Sequence, residues 1–151
     1  MVSSPAFAGN QMIPAEYSCE GVDMNPPLHI DNIPQNAISL AIIIHDPDAG
    51  VKGGFTHWVV WNIEVSKDIP RNFNSGDIGL NSELKNRYKG MCPTSGTHYY
   101  HFIVYALDAK LGTNINVDKK KLEEMMRGHI LAKGELVGLY RKPSSNYSEK
   151  Q

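Results

Sequence analysis

The run AISLAIIIH at residues 37–45 constrains the fold of this chain more than any other feature. It is apolar on both faces, rich in β-branched residues, and ends where Asp46 precedes Pro47. Such a run is typical of a strand buried on both sides in the middle of a sheet. Counting by two through Ile42 and Ile44 places Asp46 on the same face, so its carboxylate leaves the strand end on a core-facing side.

Three further runs have the composition of strands. They cover residues 57–64 (HWVVWNIE), 97–108 (THYYHFIVYALD) and 135–141 (ELVGLYR). Aromatic and β-branched residues dominate them, which favours a pleated and largely buried surface. Strict alternation places His57 on the same face as Val59, and it places His98, Tyr100, Phe102 and Val104 together on one face.

One helix is convincing. Asp118 is a suitable N-cap, and Gly128 is a suitable residue to end the helix. The apolar positions that recur at helical spacing between and beyond them are Leu122, Met125, Met126 and Ile130. The segment is therefore predicted to be an amphipathic helix on the outside of a sheet.

The remaining segments contain many chain breakers. Residues 1–36 are predicted to form short strands joined by turns, with LHIDNIP (28–34) as a short edge strand. Residues 65–96 form a long irregular stretch, and within it 65–89 is long enough to protrude as a surface loop. We therefore predict one domain spanning residues 1–151, mainly β, built as an antiparallel β-sandwich with one or two helices.

Composition excludes several classes of function. The net charge of −1 gives no basic footprint for nucleic acid, and no stretch approaches the roughly 20 apolar residues of a transmembrane helix. The N-terminal residues lack the pattern of a signal peptide. The two cysteines, Cys19 and Cys92, are not in a CxxC motif, so a cytoplasmic location with free thiols is the expectation, although the sequence leaves a bridge between them open.

Several side chains that could bind a ligand lie at predicted strand ends. Asp46 ends one strand, His57 begins the next, and His98 and Tyr100 follow a turn at 90–97. If these ends meet, they line one mouth whose imidazole and phenol groups suit a small anion such as phosphate, sulfate or a carboxylate. We expect the affinity of such a site for anions to fall as the pH rises through the histidine range.

Two long segments make the sequence recognisable. DPDAG (46–50) followed by GGFTHWVVWNI (53–63), and GMCPTSGTHYYHFIVYALD (90–108), resemble the signature segments of the phosphatidylethanolamine-binding protein family. That family includes the Raf kinase inhibitor proteins and their bacterial and archaeal relatives. YSCEG (17–21) and the ending GHILAKGELVGLYRK (128–142) are similar to the prokaryotic branch.

The resemblance implies Greek-key connections, short peripheral helices and a small surface cavity for anions, including the phosphoryl head groups of lipids. By matching the motifs, the implied ligand-binding residues are Asp46, Asp48, His57, Pro93, His98 and Tyr100. The resemblance points to a binding protein that needs no metal and no cofactor, rather than to a catalyst. Relatives that inhibit kinases or serine proteases make these two enzyme classes candidate partners.

Two alternatives remain open at this point. Asp46 before Pro47 is also typical of an Asx turn, and His57 and His98 are also typical of packed histidines that bond to backbone carbonyls. In the second alternative, Asp46, Asp48, His57 and His98 would hold a divalent metal in a hydrolase of phosphate esters. No short HxH or HxxxH pair supports a metal among these candidates, and GxSxG, P-loop, GxGxxG and HExxH motifs do not occur.

Overall fold

A computed structural model of the protein describes residues 1–49 and 52–142. Within them, five antiparallel strands form a large sheet, namely Ser39–Asp46 (β3), Phe55–Ile63 (β4), Asp77–Ile78 (β6), Thr97–Leu107 (β7) and Ile130–Arg141 (β8). Their order across the sheet is β6-β4-β3-β7-β8. The apolar run at 37–45 therefore supplies the central strand, as predicted, and the mainly β, antiparallel fold is confirmed.

A smaller sheet of three strands accompanies the large one. It consists of Val2–Ser3 (β1), Leu28–Ile30 (β2) and Asp68–Ile69 (β5), in the order β1-β2-β5. A strand does form within 28–34, but the prediction that it lies at a sheet edge was wrong, because β2 lies between the other two strands. Sequence could not show this, since β5 is only two residues long and falls in the stretch predicted to be irregular.

The large sheet buries apolar side chains on both faces. One face, which includes Leu40, Ile42 and Ile44 of β3, packs in a cluster that also contains Leu28 and Ile69 of the small sheet. The other face packs against the helix. Because β3 supplies both layers, each of its residues from Ser39 to Ile44 is buried.

The helix, α1, spans Lys119–Met126. Asp118 is its N-cap, as predicted, and the Lys121 amide donates to the Asp118 side chain over 2.9 Å. Leu122 and Met126 are the buried helical residues. The assignment of Ile130 to the helix was wrong, because Gly128 turns the chain with a φ of 85° and Ile130 begins β8.

The pairing of β3 with β4 contains a bulge that reverses the predicted face of His57. Ile44 pairs with Trp58, but the next residue of β3, His45, pairs with Thr56, so His57 is the extra residue of β4. A bulge of this kind breaks strict alternation. Val59 consequently packs in the helix-facing cluster, whereas His57 points to the other side of the sheet, which is also the side of Asp46.

Cys19 and Cys92 form a disulfide whose Cα atoms lie 5.5 Å apart. The expectation of two free thiols was therefore wrong. Backbone hydrogen bonding also joins the two segments, since the Cys19 amide donates to the Met91 carbonyl over 3.1 Å. The bond removes the support that free thiols gave to a cytoplasmic location.

The segment 65–89 is not a protruding loop as a whole. β5 and β6 attach it to both sheets, and Tyr88 is buried in the core, where its hydroxyl donates to the Tyr17 carbonyl over 2.6 Å. Several short parts of it are exposed, among them the stretch around Leu84, which is 76% exposed. In the described part of the chain, no helix has both the length and the apolar content to cross a membrane.

Candidate functional site

A cavity of about 390 Å³ lies where β3, β4 and β7 end. Five of the six residues predicted to bind a ligand line it, namely Asp46, His57, Pro93, His98 and Tyr100. The strand ends therefore meet in space, as the motifs had implied, although strict alternation had placed His57 on the other face of the sheet.

Asp46 is the buried carboxylate of this cavity, with only 2% of the residue exposed. Its Oδ1 accepts a hydrogen bond from the Asp48 amide over 2.8 Å, and its Oδ2 accepts one from His98 Nδ1 over 2.6 Å. The first of these is the Asx turn that the sequence suggested as an alternative. Asp46 can close the Asx turn and line the cavity at the same time, because each of its carboxylate oxygens has a different partner.

His57 is held in a single orientation by the opposite wall. Its Nδ1 donates to the Lys89 carbonyl over 2.7 Å, and the ring lies between Phe55 and Tyr100, at centroid distances of 4.7 and 5.3 Å. Burial lowers the pKa of His57 to about 4, although the Lys89 carbonyl opposes that shift. His57 is thus neutral near pH 7 and does not supply the pH dependence that was expected of it.

Tyr100 contributes a hydroxyl from β7. The residue is 1% exposed, and its hydroxyl makes no hydrogen bond to any residue in 1–49 or 52–142. Burial and the nearby Asp46 carboxylate raise the pKa of Tyr100, so the hydroxyl keeps its proton. Buried polar groups are normally paired, and this one lines a cavity, where a ligand or water can pair with it.

The wall opposite the strands comes from residues 89–94. The Lys89 amide donates to the His57 carbonyl over 2.9 Å, and the Gly90 amide donates to Asp23 Oδ1 over 2.6 Å. A Cβ at Gly90 would lie 2.3 Å from that same oxygen, so only glycine fits there. The disulfide at Cys92 and the buried Pro93 continue the wall. It is thus fixed by backbone contacts as well as by a covalent bond.

The charges around the cavity nearly balance. Lys89 Nζ lies 3.7 Å from Glu83 Oε2, and both residues line the cavity with the Asp46–His98 pair.

Asp48, the sixth predicted residue, is exposed and does not line the cavity; it contributes its amide to Asp46. Its carboxylate is still near enough to raise the pKa of Tyr100, after the larger effects of burial, Asp46 and Tyr140.

The other histidines serve elsewhere. His45 Nδ1 bonds to Thr56 Oγ1 over 2.9 Å, and His101 pairs with Glu135. His29 and His129 form exposed pairs with aspartates. None of these four histidines lines the cavity.

Among residues 1–49 and 52–142, no group of three or more His, Cys, Asp and Glu side chains is arranged to hold a metal ion. His57 Nδ1 and His98 Nδ1 are already bonded to protein oxygens. What the cavity offers instead is a set of hydrogen-bonding groups around a space large enough for a small molecule.

Sequence reasoning missed seven of the twelve residues that line the cavity. The lining residues that it did not select include Phe55, Glu83, Lys89, Gly90, Cys92 and Thr94. Gly90, Cys92 and Thr94 lie inside the recognised motif around Pro93, so the motif itself was the available signal. Glu83 and Lys89 carried none, because their place depends on how the irregular stretch folds back over β4.

Comparison with known proteins agrees with this fold. The family model described as phosphatidylethanolamine-binding protein matches residues 3–141. A UPF0098 protein of Pyrococcus horikoshii is 45% identical over 150 residues, covering 92% of this chain and 75% of the relative. A UPF0098 protein of Methanothermobacter thermautotrophicus is 39% identical over 145 residues, covering 91% and 95%.

Solved structures give the same result. The crystal structure of a phosphatidylethanolamine-binding protein homologue from Chlamydia trachomatis has a TM-score of 0.88 and 37% identity, covering 93% of this chain and 96% of that one. E. coli YbcL has a TM-score of 0.87 at 24% identity, covering 94% and 98%, and supports the fold alone. This chain therefore belongs to the phosphatidylethanolamine-binding protein family.

Proposed function

We propose that this protein is a non-catalytic binding protein whose cavity takes a small anion, most specifically a phosphoryl group. The observation that carries the proposal is the convergence of Asp46, His57, His98 and Tyr100 on one cavity of about 390 Å³. These residues come from three strands, so their meeting is a product of the whole fold. The family's name, which refers to a phospholipid with a phosphoryl head group, supports the same chemistry.

The hydrogen-bonding groups suit an oxyanion. The Tyr100 hydroxyl retains its proton and has no partner in the described chain, so it is available to donate to a ligand oxygen. Lys89 adds a positive charge at the rim, where its contact with Glu83 is long, at 3.7 Å. Charge-assisted hydrogen bonds from such groups are the usual means of holding phosphate.

The absence of an activated nucleophile supports binding rather than catalysis. The imidazole of His57 is bonded to a carbonyl and that of His98 to a carboxylate, and neither is hydrogen-bonded to a serine, threonine or cysteine side chain among the described residues. A nucleophile in an enzyme site normally lies within hydrogen-bond reach of its base. We therefore propose that the bound anion leaves unchanged.

Calorimetry with inorganic phosphate tests the proposal. We expect saturable binding at one site, and we expect Tyr100→Phe to weaken it about five- to tenfold by removing one donor. Tyr99→Phe is the matched control, because Tyr99 directly precedes Tyr100 in β7, lies on the other face and is 46% exposed. No binding to the native protein, or equal losses in both variants, would refute the cavity as the site.

A second candidate function is inhibition of a protein kinase or a serine protease. Leu84 favours it, because this large apolar side chain is 76% exposed, has a φ of 61° and adjoins Glu83 at the cavity. An exposed apolar residue held in a strained conformation beside a cavity is suited to contact a protein partner. Inhibition assays with Leu84→Asp and the native protein test this: the variant should inhibit less, and equal inhibition would exclude Leu84 as a contact.

A further inference from the structure

Strand β8 forms one edge of the large sheet, and its outer side is only partly covered. The Asn10 amide donates to the Val137 carbonyl over 2.7 Å, and the Leu139 amide donates to the Gln11 carbonyl over 3.0 Å. In this part of β8, the backbone groups of the odd-numbered residues therefore point away from β7.

The open part of this edge is residues 133–135. The register of β8 on β7 is regular from Arg141 to Ala132, so Lys133 and Glu135 also turn their N–H and C=O groups outward. Among residues 1–49 and 52–142, no strand or loop backbone is hydrogen-bonded to these outward groups. An unpaired strand edge of this kind is a template for pairing with another chain.

The side chains along the open edge indicate which partner fits it. Lys133 Nζ lies 5.8 Å from the centroid of the Tyr105 ring, and Glu135 pairs with His101, so both charges lie on the same face of the sheet. Charged residues often protect an edge, because they repel a like-charged neighbour. Here the two charges are opposite, so an antiparallel copy of the same edge meets attraction instead.

We propose that two copies of this chain pair their β8 edges antiparallel about a twofold axis at Gly134, so that Lys133 of each copy lies opposite Glu135 of the other. Both residues turn their backbone groups outward, so about four N–H···O bonds form between the copies. An ion pair then lies on each side of the axis, and cross-strand pairs of opposite charge are stabilising. Gly134 adds no side chain at the axis.

The charges exclude the neighbouring registers. An axis at Lys133 would place the two lysines directly opposite each other, and like charges in that position are destabilising. An axis at Glu135 would do the same to the two glutamates. It would also place Lys133 opposite Val137, whose carbonyl already accepts from Asn10. The axis at Gly134 is the register in which both charges are matched.

Pairing at this edge leaves the cavity open. His98 and Tyr100 of the cavity pair with Tyr140 and Gly138, which lie beyond Val137 in the covered part of β8. The pairing therefore does not depend on the proposed function, and phosphate affinity should be the same in monomer and dimer. Because few residues meet, the interface lies at the small end of the range for protein complexes, and association should require a high protein concentration.

Sedimentation equilibrium at low salt tests the pairing, since salt screens exposed charges. We expect a monomer–dimer equilibrium with a dissociation constant below about 1 mM. Lys133→Glu and Glu135→Lys should each weaken it about tenfold or more, because the symmetry turns both ion pairs into repulsions. An equimolar mixture of these two variants should dimerise as the native protein does, since each contact at the axis then joins opposite charges.

The matched controls are Lys121→Glu and Glu124→Lys, which make the same charge changes at an exposed pair on α1. Each should dimerise like the native protein, and thermal unfolding shows whether every variant is folded. A native protein that is monomeric at about 1 mM would overturn the proposal. So would a mixture of folded Lys133→Glu and Glu135→Lys that stays monomeric, or helix variants that weaken association equally.

Amide hydrogen exchange on the native protein locates the interface without any variant. The amides of Lys133 and Glu135 should exchange more slowly as the dimer fraction rises, whereas the Gly134 amide, which points toward β7, should change little. A dimer in which those two amides exchange at the monomer rate would place the interface elsewhere. Full protection of both amides in the monomer would mean that another part of the chain covers the edge, and it would overturn the proposal too.

Discussion

His98 Nδ1 donates to the Asp46 carboxylate over 2.6 Å, although 52 residues separate the two along the chain. The contact joins β7 to the end of β3. The Asp46 side chain is 3% exposed and that of His98 is 19% exposed, so water competes little for the bond. It directly links two of the motifs that define the site.

A double-mutant cycle measures this link. Asp46→Ala and His98→Ala should each lower the free energy of unfolding, and the pair should show a coupling of about 1.5–3 kcal/mol, as expected for a hydrogen bond to a charged group. Urea unfolding at pH 7 provides the measurement. The exposed pair of His29 and Asp68, at 2.8 Å, is the control and should show no resolvable coupling. Equal coupling in both cycles would contradict the account.

The buried neutral state of His57 predicts a specific loss of stability in acid. Its pKa is lowered from 6.5 to about 4, so between these values the unfolded chain binds a proton that the folded chain does not. The contribution of neutral His57 to the free energy of unfolding is therefore fully present above pH 6.5, and it declines as the pH falls to 4. The loss amounts to roughly 3 kcal/mol.

His57→Asn provides the comparison for that loss. We subtract the unfolding free energy of the variant from that of the native protein at each pH. This difference should decrease by about 3 kcal/mol when the pH is lowered from 7 to 4. Other titrating groups, including His45, whose pKa burial also lowers, contribute alike to both proteins. A difference that does not change with pH would mean that the folded protein binds a proton at His57 as readily as the unfolded chain does.

Neighbouring glycines test the position of the Asp46 backbone at the end of β3. Gly53 and Gly54 both have positive φ, 86° and 82°, but a Cβ at Gly53 meets nothing within 4 Å, whereas one at Gly54 would lie 2.3 Å from the Asp46 carbonyl oxygen. Gly53→Ala should cost about 1–2 kcal/mol for its left-handed conformation alone. Gly54→Ala should cost clearly more in the same thermal unfolding experiment, because the clash adds to it. Equal costs would place the Asp46 carbonyl elsewhere.

Removal of the disulfide should reduce stability without dismantling the cavity. The bond closes a span of 73 residues, and its loss should cost about 2–4 kcal/mol. The cavity wall should persist, since the Gly90 amide still bonds to Asp23 and the Cys19 amide to Met91. Urea unfolding with and without a reducing agent measures the cost, and phosphate affinity should change less than about twofold. The double variant Cys19→Ser, Cys92→Ser is the control that should not respond to reductant.

The parts of this fold that depend on local pattern could be predicted. The apolar run of β3 and the regular alternation of His98, Tyr100, Phe102 and Val104 in β7 identified strands and faces correctly, because no bulge interrupts β7 before Ala106. Asp118 was found for the same reason, since an N-cap depends on residues three positions away. These signals are all contained within a few residues of chain.

Features that depend on distant contacts could not be predicted in this way. The face of His57 depends on a bulge opposite Ile44 and His45, and alternation alone gives the wrong side. The protonated nitrogen of that ring depends on the Lys89 carbonyl, 32 residues further on. The pairing of Cys19 with Cys92 depends on two loops that meet only in the folded chain. For the site, five of the lining residues could be predicted from the sequence, but their hydrogen-bonding roles could not.

Phosphate titration of protein labelled with ¹⁵N in its histidine rings tests the central claim most directly. The account predicts that the ring signals of His57 and His98 shift together and saturate with one dissociation constant, while those of His29, His101 and His129 stay in place. Shifts confined to those three distant rings, with His57 and His98 unmoved at saturating phosphate, would contradict it.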